Sequence, residues 1–316
     1  MTQNDSAPMG TIVVVGSSNA DLVVKAPRLP KPGETVTNGA FFRARGGKGA
    51  NQAVAAARAG GQVTLIASMG LDALGDDAIA GLEAEGIDTA HLRRTADLPS
   101  GVALIMVDAA GQNAIAVAEG ANSLLSASDV RACEPVIAAS AVLVAQLEIP
   151  LDAVTEAIAI AHARGRRVIL NPAPARELPD ELLSRVAVLT PNALETERLT
   201  GIAPHDQHSL GRAAEALLAR GIGAAAITLG ASGVFVATPD RRKWIDAWPV
   251  VAEDTTGAGD VFTGALAVAL ADGAPFIEAV RFANAAAAIS VTRRGAQPSA
   301  PRRPEITDLL ERRGTA

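Results

Sequence analysis

Apolar positions near the start of the chain follow two different patterns. A β-branched run at 12–15 ends at Gly16 and predicts a buried parallel strand. Between 21 and 45 the apolar runs become short and are interrupted by prolines, which predicts a small β excursion. Strand candidates at 102–107 and 114–117 flank a turn and are expected to join that excursion as a separate small sheet.

The rest of the chain alternates between strand and helix periodicity, which predicts an α/β fold with a mostly parallel central sheet sandwiched by helices. A helix starts at Ser126 in a capping-box-like arrangement, and other helices are predicted at 48–59, 74–85, 151–163, 194–200, 210–219, 258–271 and 276–292. Strands are predicted at 63–67, 141–144, 168–170, 186–189, 224–229 and 234–237. We expect one domain over 12–312, disorder at 1–11, and a Pro/Arg-rich tail without regular structure beyond Pro298.

Composition narrows the class of protein. A formal net charge of −6 without a basic run disfavours nucleic acid and anionic membranes as partners. The single cysteine, Cys133, excludes a disulfide framework within the chain, and the polar N-terminus lacks an apolar stretch. No apolar run approaches the roughly 18 residues that span a bilayer. We therefore expect a soluble, cytoplasmic protein.

The most informative motif is DTTGAGD at 254–260, between a strand-like stretch and a long predicted helix. Gly257 and Gly259 leave room for a phosphate to approach the backbone, and the N–H groups at a helix start favour an anion. Asp260 falls in the first helical turn, where a carboxylate beside a phosphate can take a proton from an attacking hydroxyl. The alternative is that Asp260 is an ordinary helix-start residue after a Gly-rich turn.

A second glycine-rich motif, GGKGAN at 46–51, also opens a predicted helix. Its spacing fits neither a Walker A loop nor a dinucleotide-binding fingerprint. The glycines allow a ligand to approach closely, and Lys48 and Asn51 offer donors to hydroxyls or phosphate. A tight turn with an exposed lysine remains the alternative.

Polar residues also follow predicted strands. GSSNAD at 16–21 comes after the first strand, at the kind of strand end where open α/β sheets bind ligands. Asn19 and Asp21 can together donate to and accept from vicinal hydroxyls, and Glu148 lies at another strand end. Ordinary polar turns would look the same.

Two further motifs suit a nucleotide. In TPNALE at 190–195, Asn192 reads first as a helix N-cap, and Glu195 is the residue type that holds a magnesium-bound water. TLGASG at 228–233 is a Gly-rich strand exit that also fits a β-turn between two strands. The four histidines show no metal-ligand spacing.

Individually these motifs are weak, but their order along the chain resembles the ribokinase, or phosphofructokinase-B-type, family of carbohydrate kinases. The resemblance covers about 12–310 and is carried by GGKGANQAVAAARAG (46–60), NPAPARELPDELL (171–183), TPNALETERLTG (190–201), DTTGAGD (254–260) and RRGAQPS (293–299). It implies a mostly parallel sheet between helices, with the segments 21–45 and 101–118 forming a β-sheet lid that closes over the sugar and pairs two subunits.

The resemblance also implies which residues bind. Sugar contacts fall on Asn19, Asp21, Gly47, Lys48, Gly49, Ala50, Asn51, Glu148 and Asp260. ATP contacts fall on Asn192, Thr228, Leu229, Gly230, Ala231, Ser232, Gly233, Gly259 and Asn284. A monovalent-cation site, usually for K⁺, falls on Asp254, Thr256, Ser290, Arg293, Gly295 and Ser299. Two positions depart from the family pattern: Asn284 stands where some members have His, and Ser290 stands where Ala is more common.

The implied reaction is ATP-dependent phosphorylation of D-ribose at its primary hydroxyl, giving ribose 5-phosphate and ADP. Asp260 is the general base, and the backbone N–H groups of Gly257, Ala258 and Gly259 form the anion hole. Mg²⁺ arrives with the nucleotide and is helped by a water near Glu195. Kinases of the same family for deoxyribose, another sugar or a nucleoside are the alternatives, the last disfavoured by an aromatic content of 3%. A non-catalytic sensing module is disfavoured because Asp260 is present.

Overall fold

In the computed structural model, which describes residues 10–314, the strands form a nine-stranded and a four-stranded sheet. The strands are β1 (Thr11–Val15), β2 (Asn19–Lys25), β3 (Ala40–Gly46), β4 (Gln62–Gly70), β5 (Leu92–Thr95), β6 (Gly101–Val107), β7 (Asn113–Ala118), β8 (Val142–Ala145), β9 (Arg167–Leu170), β10 (Val188–Leu189), β11 (Ala224–Thr228), β12 (Val234–Ala237) and β13 (Arg242–Ile245). The helices are α1 (Lys48–Arg58), α2 (Ala73–Ala84), α3 (Ala127–Ala132), α4 (Glu134–Ala139), α5 (Leu151–Ala163), α6 (Asp180–Leu183), α7 (Ala193–Thr200), α8 (Gln207–Ala219), α9 (Ala258–Ala271), α10 (Phe276–Ser290) and α11 (Arg303–Gly314).

The large sheet has the order β5-β4-β1-β8-β9-β10-β11-β12-β13. Its strands are parallel from β5 to β11, and β12 and β13 add an antiparallel edge. The predicted α/β fold with a mostly parallel sheet is therefore confirmed. β1 lies between β4 and β8, so the chain builds the sheet first on one side of β1 and later on the other. In open α/β sheets, a reversal of this kind leaves a crevice at the carboxyl ends of the strands, where ligands bind.

Both faces of the large sheet are buried under helices. Adjacent residues of β1 alternate between the two layers: Val14 belongs to the core cluster that includes Phe262 of α9, whereas Val13 belongs to the one that includes Ile158 of α5. All four are at most 2% exposed. Each such side chain contributes roughly 1.5–3 kcal/mol by leaving water, which is why the apolar runs of the parallel strands are nearly continuous.

The helices that carry the two glycine-rich motifs, α1 and α9, pack directly on each other. Gly264 makes the close approach possible, because a Cβ at this position would lie 2.6 Å from the carbonyl oxygen of Gln52 and 2.8 Å from the Cβ of Ala55. The packing brings the first turns of α1 and α9 together at one edge of the large sheet.

The four-stranded sheet, called the small sheet below, has the order β3-β2-β6-β7. Its central pair is parallel and its outer pairs are antiparallel. The predicted β excursion is thus part of a sheet, in which it supplies β2 and β3. Exposed apolar side chains occupy both faces: Phe41 and Leu104 share one face by register, and Ile115 and Val117 lie on the other.

Several elements differ from the predictions. The tail beyond Pro298 is not irregular: α11 covers it and buries Ile306 completely in the core. Strands β5 and β13 have only four residues each, and they were not expected. Residues 1–9, most of the segment expected to be disordered, lie outside the described residues, and Thr11 already belongs to β1. Among the described residues, no helix is long and apolar enough to cross a membrane.

Candidate active site

The candidate site lies where five parallel strands of the large sheet end. The polar segments that follow β1, β8, β9, β10 and β11 all leave this edge, and the first turns of α1 and α9 point toward it. Sequence motifs from the beginning of the chain (16–21) and from near its end (254–260) therefore meet at the switch point between β1 and β8.

Asp260, in the first turn of α9, is 6% exposed and held on both carboxylate oxygens by α1. Asn51 Nδ2 donates to its Oδ2 at 3.0 Å, and Gln52 Nε2 donates to its Oδ1 at 2.9 Å. Burial raises the pKa of Asp260, while the positive charge of Lys48 and the two amide donors oppose that rise. Asn51 Oδ1 is buried without a hydrogen-bond partner among the described residues.

Glu148 is held by the segment after β1 and by the start of α1. Its Oε2 accepts from Ser17 Oγ at 2.6 Å and from the Lys48 backbone N–H at 2.9 Å. Burial disfavours the charged form of Lys48, but three nearby carboxylates, those of Asp260, Glu148 and Glu195, outweigh it and raise the pKa of the ammonium. The structure thus surrounds one lysine with acidic groups in a partly dry site.

Asp21, on β2, faces the same crevice. Burial raises its pKa to about 6, and repulsion from Glu148 and Asp260 adds to the shift. Its carboxylate packs against Gly46, where a Cβ would lie 2.3 Å from a carboxylate oxygen. Gly47, with φ of 88°, packs in turn against the backbone of Asn19, at 2.7 Å from where its Cβ would be.

Asn19 is oriented by a buried amide that sequence reasoning missed. Asn122 Nδ2 donates to Asn19 Oδ1 at 2.8 Å, and Asn122 Oδ1 accepts from the Ser18 backbone N–H at 2.9 Å. Because Oδ1 of Asn19 is occupied as an acceptor, its amide N–H₂ is left to donate to a ligand.

Gly49 and Ala50 pack the start of α1 against the backbone of Ser17, just after β1. A Cβ at Gly49 would lie 2.5 Å from the Ser17 nitrogen, and the Ala50 N–H donates to the Ser17 carbonyl at 2.8 Å. The Ala50 side chain is 1% exposed and belongs to the core. Both residues press α1 against the end of β1, and their expected sugar contact stays a prediction.

The start of α9 offers unpaired donors. Gly257 has φ of 75° and packs on Ala296, which a Cβ would approach to 2.8 Å. Within the described residues, the N–H groups of Gly257, Gly259 and Asp260 have no acceptor, whereas that of Ala258 reaches the Thr255 carbonyl at 3.3 Å. A Cβ at Gly259 would meet nothing within 4 Å, so the approach to these donors is open. The geometry suits an anion.

Most of the predicted nucleotide residues lie together beyond the ends of β10 and β11. A cavity of about 660 Å³ is lined by Asn192, Thr228, Leu229, Gly230 and Ser232, and by Leu194 and Trp244 among others. Ala231 belongs to the same short 3₁₀ turn at 230–232. Gly233 packs on β13, where a Cβ would lie 2.1 Å from the Ile245 carbonyl oxygen. Asn284 is not brought into this cavity; its Nδ2 donates to the Asp246 carbonyl at 2.9 Å.

Asn192 and Glu195 form a reciprocal N-terminal cap on α7. Asn192 Oδ1 accepts from the Glu195 N–H at 2.9 Å, and Glu195 Oε2 accepts from the Asn192 N–H at 2.8 Å. The carboxyl group of Glu195 is buried, and burial raises its pKa. The N-cap reading is therefore confirmed, whereas a water-mediated contact of Glu195 with Mg²⁺ stays a prediction.

The predicted cation residues lie on two adjoining loops. Asp254 Oδ2 accepts from the Gly295 N–H at 2.8 Å, and Oδ1 accepts from the Thr256 N–H at 2.9 Å. Burial works against ionisation of Asp254, but these hydrogen bonds prevail and lower its pKa. Among the described residues, the carbonyls of Thr256, Arg293 and Gly295 accept no hydrogen bond. A charged carboxylate beside free carbonyls is a donor set that fits a monovalent cation.

The other two cation candidates, Ser290 and Ser299, have hydroxyl groups that are already bonded within the protein. The hydroxyls of Ser290 and Ser299 each donate to a carbonyl three residues earlier, at 2.8 Å in both cases. A groove of about 1310 Å³ under the small sheet connects Asn19 and Asp21 with Asp254. The sugar and cation candidates therefore border one space.

The residues that sequence reasoning missed are polar side chains that hold the predicted ones, directly or through Gln52. They are Ser17, Gln52, Asn122, Gln146 and Asn171. Gln146 and Asn171 come immediately after β8 and β9, and Gln52 comes one place after the GGKGAN motif, whereas Asn122 lies in a 3₁₀ segment after β7 and carries no such signal. An amide at such a position looks like any turn residue until its partners are known.

Comparison with known proteins places the chain among sugar kinases. Residues 9–303 match the model of the pfkB family carbohydrate kinases. A ribokinase of Haemophilus influenzae is 47% identical over 301 residues, which cover 95% of this chain and 98% of that relative. A deoxyribokinase of Salmonella typhi is 36% identical over 300 residues, covering 95% and 98%. The structure of Arabidopsis thaliana ribokinase complexed with ribose and ATP superposes with a TM-score of 0.89 at 32% identity, covering 96% of this chain and 99% of that one.

Proposed function

The chain belongs to the pfkB family of carbohydrate kinases, and on this premise we propose that it transfers the γ-phosphoryl group of ATP to the primary hydroxyl of D-ribose. The observation that carries the proposal is the first turn of α9. There a buried carboxylate, Asp260, stands beside the unpaired backbone N–H groups of Gly257 and Gly259. A base next to an anion site is what phosphoryl transfer to a hydroxyl requires.

The polar groups of the crevice supply the sugar site. The N–H₂ of Asn19, the carboxylates of Asp21 and Glu148, and the unpartnered Oδ1 of Asn51 present both donors and acceptors to vicinal hydroxyls. A buried acceptor without a partner costs free energy, and a sugar hydroxyl would satisfy Asn51 Oδ1. This arrangement supports a polyhydroxylated substrate over an apolar one.

In the proposed reaction, Asp260 takes the proton of the primary hydroxyl as that oxygen attacks the γ-phosphorus. The new P–O bond forms while the bond between the γ-phosphorus and the β–γ bridging oxygen breaks, and ADP leaves. The N–H groups of Gly257, Gly259 and Asp260 donate to the phosphoryl oxygens as charge shifts onto them. Lys48 adds a fixed positive charge to the same space.

Two ions would complete the site. Mg²⁺ bound with ATP would neutralise the phosphates, with Glu195 as the nearest candidate for a water-mediated contact. K⁺ would bind Asp254 and the free carbonyls of the adjoining loops. Because Gly257 packs on Ala296, a cation that orders this segment would also fix the first donor of the anion hole.

We further propose that the small sheet is a lid and a dimer interface. The small sheet exposes apolar side chains on both of its faces, and each face would be stabilised by packing against another surface. The face with Ile115 and Val117 is the one that carries Asp21, so closing over the sugar would cover it. The face with Phe41 and Leu104 points the other way and suits a second copy of the chain.

A coupled assay of ADP release tests the proposal with ribose, 2-deoxyribose, fructose and adenosine. We expect the highest kcat/KM for ribose, because a site built to bond a hydroxyl loses binding when the hydroxyl is absent. Asp260→Asn should lower kcat by roughly 10²–10⁴-fold with little change in ATP binding. A higher kcat/KM for 2-deoxyribose would overturn the assignment of ribose as the substrate. Near-normal turnover of Asp260→Asn would overturn the assignment of Asp260 as the general base.

A further inference from the structure

Asp260 is attached to a chain of buried amides that lies behind the site. Gln52 Nε2 donates to Asp260 Oδ1 at 2.9 Å and to Asn171 Oδ1 at 3.2 Å. Gln52 Oε1 accepts from Gln146 Nε2 at 2.6 Å. Asn171 Nδ2 donates to the Thr190 carbonyl at 2.9 Å. Residues at the ends of β8 and β9 thus bond Gln52 of α1, and Gln52 in turn bonds one carboxylate oxygen of Asp260.

The partners of Gln52 fix which end of its amide faces Asp260. Its N–H₂ meets two acceptors, Asp260 Oδ1 and Asn171 Oδ1, and its carbonyl oxygen meets the N–H₂ of Gln146. Reversing the amide would set oxygen against oxygen at Asp260 and Asn171 and nitrogen against nitrogen at Gln146. Asn171 cannot reverse either, because its own N–H₂ is committed to the Thr190 carbonyl. Gln52 is 0% exposed, so water cannot replace these bonds.

Gln52 and Asn51 hold Asp260 in different ways. Asn51 donates to the other carboxylate oxygen, Oδ2, and its own Oδ1 has no hydrogen-bond partner among the described residues, which leaves it free to accept from a ligand. Gln52 approaches from the core, with every polar atom bonded to protein. A bound sugar can alter the contacts of Asn51 but has no access to Gln52.

On the basis of the proposed kinase activity, we propose that Gln52 is a positioning residue that aims the Asp260 carboxylate and keeps it in its basic, ionised form. A donor to a carboxylate stabilises the anion, and a buried anion has few other sources of stabilisation. Gln146 and Asn171 act through Gln52 by setting the direction of its amide. None of the three touches the reacting atoms.

The test is the pH profile of kcat/KM for ribose in Gln52→Met, which keeps the side-chain length and removes the donor. Loss of one donor to a charged group should move the acid limb of the profile upward by about one to two pH units. Activity at the acid end should fall about ten- to hundredfold and recover as pH is raised, with KM for ATP unchanged. The other charged groups that face Asp260, namely Lys48, Glu148, Asp21 and Glu195, are the same in every variant.

Thr263→Val is the matched control, because Thr263 is also buried on α9 but its hydroxyl pairs with Thr190 Oγ1 at 3.2 Å and does not touch Asp260. Its profile should stay in place. A loss of activity in Gln52→Met that is the same at every pH, or a shift of equal size in Thr263→Val, would overturn the positioning role.

A double-mutant cycle separates this inference from the proposed activity. Urea unfolding of wild type, Gln52→Met, Asp260→Asn and the double variant at pH 8 measures the coupling between the two side chains without any substrate. We expect Gln52→Met to destabilise the wild type more than it destabilises Asp260→Asn. Additive effects would overturn the inference even if ribose is phosphorylated, whereas clear coupling in a protein without kinase activity would overturn only the proposed function. If Gln52→Met does not fold, Gln146→Met replaces it, because this variant leaves Gln52 in place. The pH profile and the coupling to Asp260 are then measured in the same way, with a smaller expected shift.

Discussion

Replacing Asp21 with asparagine should stabilise the protein while it impairs the sugar site. The pKa of Asp21 in the folded chain is about 6, against an ordinary value of 3.8, because the carboxyl group is buried near Glu148 and Asp260. The folded state therefore holds the Asp21 proton more tightly than the unfolded state does. It follows that the free energy of unfolding falls as pH rises between about 4 and 6, and that the loss is complete above this window.

The size of the effect follows from the shift. A pKa that is raised by about two units lowers the free energy of unfolding by about 3 kcal/mol at pH 8 and by less than about 1 kcal/mol at pH 4. Asp21→Asn keeps the shape of the side chain and removes the charge, so it should gain about this much at pH 8. Urea unfolding of the ligand-free protein at pH 4, 6 and 8 measures it, with Asp240→Asn as the control, since Asp240 is exposed in the turn between β12 and β13.

Two results would refute this reasoning. A gain of equal size at pH 4 and pH 8 would mean that something other than the Asp21 charge is responsible. The absence of a gain at pH 8 would mean that the carboxylate is better solvated than its surroundings imply. Saturating ribose adds a second check, because it should stabilise the wild type strongly and Asp21→Asn only weakly if the carboxylate binds the sugar.

Three further outcomes are expected. Asn122→Ala, which releases Asn19, should raise KM for ribose about tenfold or more in steady-state assays and leave KM for ATP unchanged; an equal rise in both would refute the positioning of Asn19. Added K⁺ should raise kcat/KM more than Na⁺ does, and Asp254→Ala should abolish the response, whereas equal activity in both salts would remove the cation site. Leu104→Lys should convert a dimer to a monomer in sedimentation velocity, and an unchanged dimer would exclude this face as the interface.

Elements with a strong period were predictable from sequence. The run at 12–15 is β1, and the capping-box-like pair Ser126 and Asp129 does cap α3, with the Ser126 backbone N–H donating to Asp129 Oδ2 at 2.9 Å. These signals are local, since an apolar run or a cap depends on residues within one turn or strand. The two glycine-rich motifs were also readable, because glycine is the residue that most readily adopts the positive φ found at Gly47 (88°) and Gly257 (75°).

Features set by distant contacts were not predictable. The tail that forms α11 is rich in arginine and proline, and only its packing on the core through Ile306 explains why it is ordered as a helix. β13 is a four-residue strand with too short an apolar pattern to be recognised in the sequence, and it forms an edge of the sheet by pairing with β12. The amide chain behind Asp260 has the same origin, since Gln52 and Asn171 are 119 residues apart and acquire their role only when α1 packs on α9.

The same dependence on distant contacts joins the sugar site to the small sheet. The chain passes between the large and the small sheet at Asn19, Gly46, Gly101 and Glu119, and three of these crossings meet at Asn122. Asn122 Nδ2 donates to Asn19 Oδ1 at 2.8 Å and to the Glu119 carbonyl at 3.0 Å, and a Cβ at Gly101 would lie 2.3 Å from that nitrogen. The small sheet cannot rotate about these crossings without moving Asn19 relative to Asp260. If the small sheet is the proposed lid, a sugar that bridges the two side chains would favour one position of that sheet only as far as it binds that position more tightly than others.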